Sequence, residues 1–228
     1  MEITAIIILM INERRLEMMM YEIPQDSVKW IKKELSKKYS LEAAEEKYRE
    51  ILKTYEKFSN DTPSIGGKDN PMAKNFYGAL SAFAYYECMD RNMSPDEITD
   101  MCFGMMIGDK KGGRLAKFNL NNKLVRKIFH TLFGLRAKKL NKHKQDGSWN
   151  NTWGMKINPL HHKEGISFHL IGCPIADFAK KNGYEELMPY FCETDKTVVE
   201  HMGGILYREH TVADGYKDCD YWIKNKGK

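Results

Sequence analysis

The feature that most restricts this chain is a change of hydrophobic period at Asp146-Gly147. Before it, apolar residues recur every three or four positions, the spacing of amphipathic helices. After it come short stretches in which apolar and polar residues alternate, as in half-buried strands. Helices are expected over Asp26–Lys37, Ser40–Phe58, Met72–Met89, Ser94–Ile107 and Asn119–Lys144. Ser40 and Ser94 are placed to cap their helices, and Ser94-Pro95-Asp96-Glu97 adds proline and acids in the first turn. The last of these helices carries Leu124, Ile128, Leu132 and Leu135 as its expected apolar stripe. Strands are expected at Thr152–Asn158, Ile166–Ile171, Ile205–His210 and Lys217–Ile223. Between the second and third of them lie a helix opening at Cys173-Pro174 and closing at Asn182-Gly183, then one or two helices over Glu185–Met202. Helices segregated before a ββααββ antiparallel sheet make an α+β fold, with the later helices on one face of the sheet.

The expected domain division follows: residues 1–19 as an extension, 20–145 as a helical region and 146–228 as the α+β part, the last two free to pack as one unit. Ile3 to Ile11 is apolar but far shorter than the roughly 20 residues that cross a bilayer. It lacks a basic leader and a small-residue cleavage site, so the reading is a cytoplasmic protein with no membrane partner. Met18, Met19 and Met20 follow, and the biological start is expected there, a packed β-strand over Ile3 to Ile11 being the alternative. The net charge of +5 comes from 36 basic and 31 acidic residues. The basic run Arg136–Lys144 suits the end of a helix and reads as a solvated face; aromatic residues are not interleaved with it, so no nucleic-acid partner is expected.

The five cysteines are Cys88, Cys102, Cys173, Cys192 and Cys219. Their count is odd, their spacing wide and no CxxC pair is present, which argues against a zinc ribbon or a disulfide framework. No cofactor is assigned. A site built from the dispersed thiolates Cys173, Cys192 and Cys219 with a histidine is one metal reading, and His161-His162 another, although that pair reads first as a solvated hairpin loop.

Three motifs carry potential chemistry. Gly172-Cys173-Pro174 places a thiol where a helix begins, and the positive end of the dipole there is expected to lower its pKa. Phe191-Cys192-Glu193-Thr194-Asp195 puts a thiol and a carboxylate three apart, on one helix face. Asp214-Gly215 leads to Cys219-Asp220-Tyr221, where neighbours on a strand point to opposite sides, so only one of Cys219 and Asp220 can share a pocket with the others. Catalytic candidates are therefore Cys173, Cys192, Asp195, Cys219 and Asp220. His169, His201 and Arg208 are candidates for substrate binding.

In this order the motifs resemble the L-2-amino-thiazoline-4-carboxylic acid hydrolase family, over roughly Trp149 to Trp222. Tyr221 and Trp222 depart from the Phe-Arg that the family usually carries there. The resemblance implies a small-molecule substrate, a cyclic amidine opened by hydrolysis at a carbon–nitrogen centre. Asp195 or Asp220 would be the base, a cysteine could be the nucleophile, and Arg208 could hold a substrate carboxylate. The other reading is a non-enzymatic sensing or carrier domain whose cysteines only line a pocket. Its helices could dimerise, so a homo-oligomer is admitted.

Overall fold

A computed structural model describes residues 23–108 and 118–226. The expected extension 1–19 lies outside them. Five helices come first: α1 (Gln25–Lys38), α2 (Leu41–Asn60), α3 (Ala73–Cys88), α4 (Pro95–Met106) and α5 (Lys123–Gln145). Ser40 caps α2 through Ala43 N–H, and Ser94 with Glu97 closes a reciprocal capping box on α4. Such boxes satisfy backbone donors that a helix start leaves without partners. α3 is buried along almost its whole length, with Phe76, Leu80 and Phe83 inside, so it is the central helix of the molecule. A helix apolar all round has to be enclosed, and α1, α2 and α4 pack around it. Ser27 ties α1 to α4 by donating to the Met105 carbonyl at 3.1 Å across the buried interface. No described helix is long and apolar enough to cross a membrane.

The sheet contains β1 (Gly154–Ile157), β2 (Ile166–Ile171), β3 (Gly204–Tyr207) and β4 (Asp218–Asn225) in the order β1-β2-β4-β3, every pair antiparallel. Between β2 and β3 lie α6 (Pro174–Asn182) and α7 (Met188–His201). The fold is therefore α+β, helices first and one antiparallel sheet after. Gly183 ends α6 in the left-handed region, at φ 69°. One hydrophobic core runs without a break from the N-terminal helices through Phe178, Leu187 and Phe191 to the sheet.

Register sets the two faces of the sheet. Phe168 pairs with Tyr221 and Leu170 with Cys219, which puts them on the helix-covered side. His169 pairs with Asp220 and also with Lys156, on the outer side. α5 is fastened to β1 by Asn141, whose amide donates to the Met155 carbonyl and accepts from its N–H at 2.7 and 2.9 Å. Lys144 reaches the Thr152 carbonyl at 2.6 Å.

Two expectations for α5 are corrected. It starts at Lys123 rather than Asn119, because the Asn119 side chain turns back onto Asn121 N–H and Asn122 caps Leu124 N–H. Its expected stripe does not enter the core: Leu124 is 64% and Leu135 59% exposed, and Ile128 and Leu132, also exposed, border the cavity described below. The stripe one position further on, Val125, Phe129, Phe133, Ala137 and Leu140, packs inward instead. Both stripes have helical spacing. The second carries two aromatic rings, and Phe133 stacks on Phe168 with centroids 4.7 Å apart, so it buries more apolar area.

Candidate functional site

A cavity of about 1980 Å³ lies between the covered face of the sheet, α5 and α7, and extends toward the starts of α1 and α3. Most of its wall is apolar, including Phe129, Phe133, Phe168, Phe191 and Ile223. Four of the expected residues line it: Cys173, Cys192, Asp195 and Cys219. They come from three separate elements. Cys173 caps α6, Cys192 and Asp195 sit on the inward face of α7, and Cys219 is the second residue of β4.

Asp195 is the polar focus of this wall. Its Oδ2 accepts from the Tyr221 hydroxyl at 2.8 Å and from Arg208 Nη1 at 3.1 Å. Arg208 also donates to the Cys192 carbonyl at 2.9 Å, so the guanidinium is fixed at both ends. Oδ1 accepts no hydrogen bond from the described residues, and the Asp195 side chain keeps 40% of its surface accessible, facing the cavity. The Arg208 side chain is only 13% exposed and does not line the cavity. Burial pushes the Asp195 carboxyl up from its ordinary range, against the pull of Arg208 and Tyr221. Burial also works against the Arg208 charge, but Tyr221 and Asp195 more than offset it.

The thiols behave differently from expectation. The Ala176 and Ile175 N–H groups and the Trp153 indole beside Cys173 favour the thiolate. Burial outweighs all of them and raises its pKa. Cys192 and Cys219 are both pushed up to about 12, again first by burial. The helix-start argument is therefore corrected: the helix start favours the thiolate, but desolvation of the buried anion outweighs it.

The remaining expected residues sit elsewhere. Asp220 is on the outer face and accepts from the backbone N–H groups of Glu209 and His210. His169 is on the same face, with Nδ1 3.0 Å from Asp218 Oδ2. His201 is exposed near the end of α7, with Nδ1 2.8 Å from the Thr197 carbonyl. Trp222 also faces outward, stacked on His162 at 4.0 Å, so an arginine at 222 would not stand in the cavity wall. The altered position that matters is 221, where the hydroxyl that Phe lacks is bonded to Asp195.

Sequence reasoning passed over two lining residues. Arg136 was expected on a solvated face, but it lines the cavity with its guanidinium 5.5 Å from the Phe133 ring centroid, and burial lowers its pKa. Its place one residue before the buried Ala137 is the signal that could have found it. Tyr221 was quoted within a motif without a role. Its alternation with Asp220 on β4 was enough to put it beside Cys219.

No curated protein and no solved structure matches the chain. The family described as L-2-amino-thiazoline-4-carboxylic acid hydrolase matches residues 72–223, from just before α3 into β4. The matched region takes in well over half of the 228 residues and every cavity-lining cysteine, carboxylate and tyrosine described above. The chain belongs to the L-2-amino-thiazoline-4-carboxylic acid hydrolase family.

Proposed function

We propose that this protein hydrolyses a small cyclic amidine carrying a carboxylate, with Asp195 as the general base. The observation that carries the reading is Asp195 itself: a carboxylate clamped through Oδ2, open at Oδ1 and made more basic by burial, in the wall of a cavity. A base works best when its pKa is moved toward the working pH. Membership of a hydrolase family supports the same reaction class.

In the proposed reaction Asp195 takes a proton from water as the oxygen bonds to the C=N carbon. The electron pair of that double bond moves to nitrogen, which takes the proton Asp195 has gained. Collapse of the tetrahedral adduct restores a carbonyl as Asp195 takes the hydroxyl proton, and in an aminothiazoline the ring sulfur leaves and receives that proton. Cys173, Cys192 and Cys219 act as neutral thiols, because raised pKa values disfavour thiolate attack. Arg208 positions Asp195 and does not itself meet the substrate, its charge being matched by that carboxylate. Arg136 is the cation proposed to receive the substrate carboxylate, with the planar fork suited to that group.

The test is a hydrolysis screen of 2-aminothiazoline-4-carboxylate and other cyclic amidines, with and without chelator, on wild type and Asp195→Asn. Loss of turnover in a folded Asp195→Asn is expected. Full turnover in that variant would remove the base assignment.

A second reading has one observation in its favour. The cavity of about 1980 Å³ has largely apolar walls and is far larger than a single small heterocycle requires. A carrier or sensor of a bulkier apolar ligand would use such a volume. It predicts tight binding of apolar compounds with no turnover in the same screen.

A further inference from the structure

We propose that His169, His210 and Asp218 form a binding site for one divalent first-row transition ion on the outer face of the sheet. Their ligand atoms all lie within 4.8 Å of one another. His169 Nδ1 is 3.0 Å from Asp218 Oδ2, and His210 Nε2 is 2.8 Å from Asp218 Oδ1. Metal–ligand bonds of about 2.0–2.2 Å place neighbouring ligand atoms roughly 3.3 Å apart, so small side-chain rotations bring this group around an ion. Two imidazoles with one carboxylate suit zinc, cobalt, iron or manganese, whereas a magnesium or calcium site would be built from oxygen alone.

The surroundings of His210 point the same way. Its other ring nitrogen, Nδ1, lies 3.4 Å from Asp220 Oδ1. Asp220 is held in turn by the backbone N–H groups of Glu209 and His210. A carboxylate behind a ligating histidine fixes the tautomer and directs the opposite lone pair outward. In the tautomer whose Nδ1 proton faces Asp220, the Nε2 lone pair is free to bind an ion beside Asp218.

Position gives the ion a task. His169 belongs to β2, Asp218 opens β4, and His210 lies in the connection between β3 and β4. One ion would fasten all three segments, two residues beyond the Arg208 that clamps Asp195. His169 is buried while Asp218 and His210 are partly exposed, so an ion has a route in. The site does not depend on the proposed reaction, and its test reads binding alone.

Full-length protein stripped with chelator would be titrated with Zn²⁺ by calorimetry and with Co²⁺ by absorption. Uptake of one equivalent is expected, with cobalt ligand-field bands and no thiolate charge-transfer band. His169→Gln and His210→Ala should each weaken binding by at least about 100-fold. Asp220→Asn, which keeps all three ligands, should weaken it by roughly 10–100-fold. Should His169→Gln fail to fold, His210→Ala, altered in the connection alone, still decides. Absence of uptake, affinity unchanged in His210→Ala, or a thiolate band marking a cysteine site would each overturn the proposal.

Discussion

The Tyr221 hydroxyl donates to Asp195 Oδ2 at 2.8 Å, joining the fourth strand to the seventh helix inside the cavity wall. This bond stabilises the ionised carboxyl against burial. Tyr221→Phe removes it, so Asp195 should titrate higher than in wild type. A base must be ionised to accept a proton, and the acid limb of kcat/KM should therefore move to higher pH. A hydrogen bond to a charged group contributes about 1.5–3 kcal/mol, and about 1.4 kcal/mol corresponds to one pH unit. The expected displacement is about one to two units in a pH–rate profile. A limb that stays in place or moves downward would remove Asp195 from the role of base.

The thiols offer an independent check. With Cys192 and Cys219 raised to about 12, little thiolate exists near neutral pH. Alkylation at about pH 8, followed by mass spectrometry of intact protein, should be much slower at these cysteines than in an unfolded control. Cys192→Ser should lower kcat by less than about tenfold. A loss of several orders of magnitude would instead require a nucleophilic thiolate.

Arg136→Gln should raise KM for a carboxylate-bearing amidine and leave kcat within a few-fold, since the residue is assigned to binding and not to the reacting carbon. An amidine lacking the carboxylate supplies the control: its KM should not respond. Equal effects on both substrates would mean that Arg136 acts through packing on Phe133.

Two stability measurements probe the scaffold. The Tyr85 hydroxyl is buried without a hydrogen-bond partner among the described residues. Tyr85→Phe should therefore be neutral or stabilising by up to about 1 kcal/mol in urea unfolding. Gly66 and Gly183 both have positive φ, 96° and 69°. A Cβ at Gly66 would overlap the Trp149 indole, whereas one at Gly183 meets nothing within 4 Å. Gly183→Ala should cost about 1–2 kcal/mol for the left-handed backbone alone, and Gly66→Ala about 1–3 kcal/mol more for overpacking. Equal costs would show that Trp149 yields freely.

The α+β class and the four strands can be read from local pattern, whereas the expectation that Cys173, Cys192 and one of Cys219 or Asp220 share a pocket rests on the family resemblance, and only the sheet register decides for Cys219. Period and capping chemistry act over a few residues, and Ser94 to Glu97 specifies its own helix start. What stayed hidden depends on distant partners. The inward stripe of α5 is chosen by Phe168, on a strand well downstream, so spacing within the helix could not decide it. The polar groups beside Cys173 favour its anion and the thiol still titrates high, because desolvation is set by the whole enclosure. Arg136 looked like one more member of a basic run until α5 was laid against the sheet.

The alternation along β4 has a consequence for how this protein can change. Asp218 and Asp220 face outward, while Cys219 and Tyr221 face the cavity. Inserting or deleting one residue ahead of Asp218 would exchange the two sets wherever the strand kept its place in the ladder. The Asp195 partner and the outer histidine partner would be lost in a single event. Point substitutions can adjust either face alone, but changes of length in the turn before β4 are confined to even steps or to loops that absorb the shift. Among natural variants of this chain, length variation should therefore concentrate between Ala213 and Lys217 and be absent from Asp218 to Tyr221.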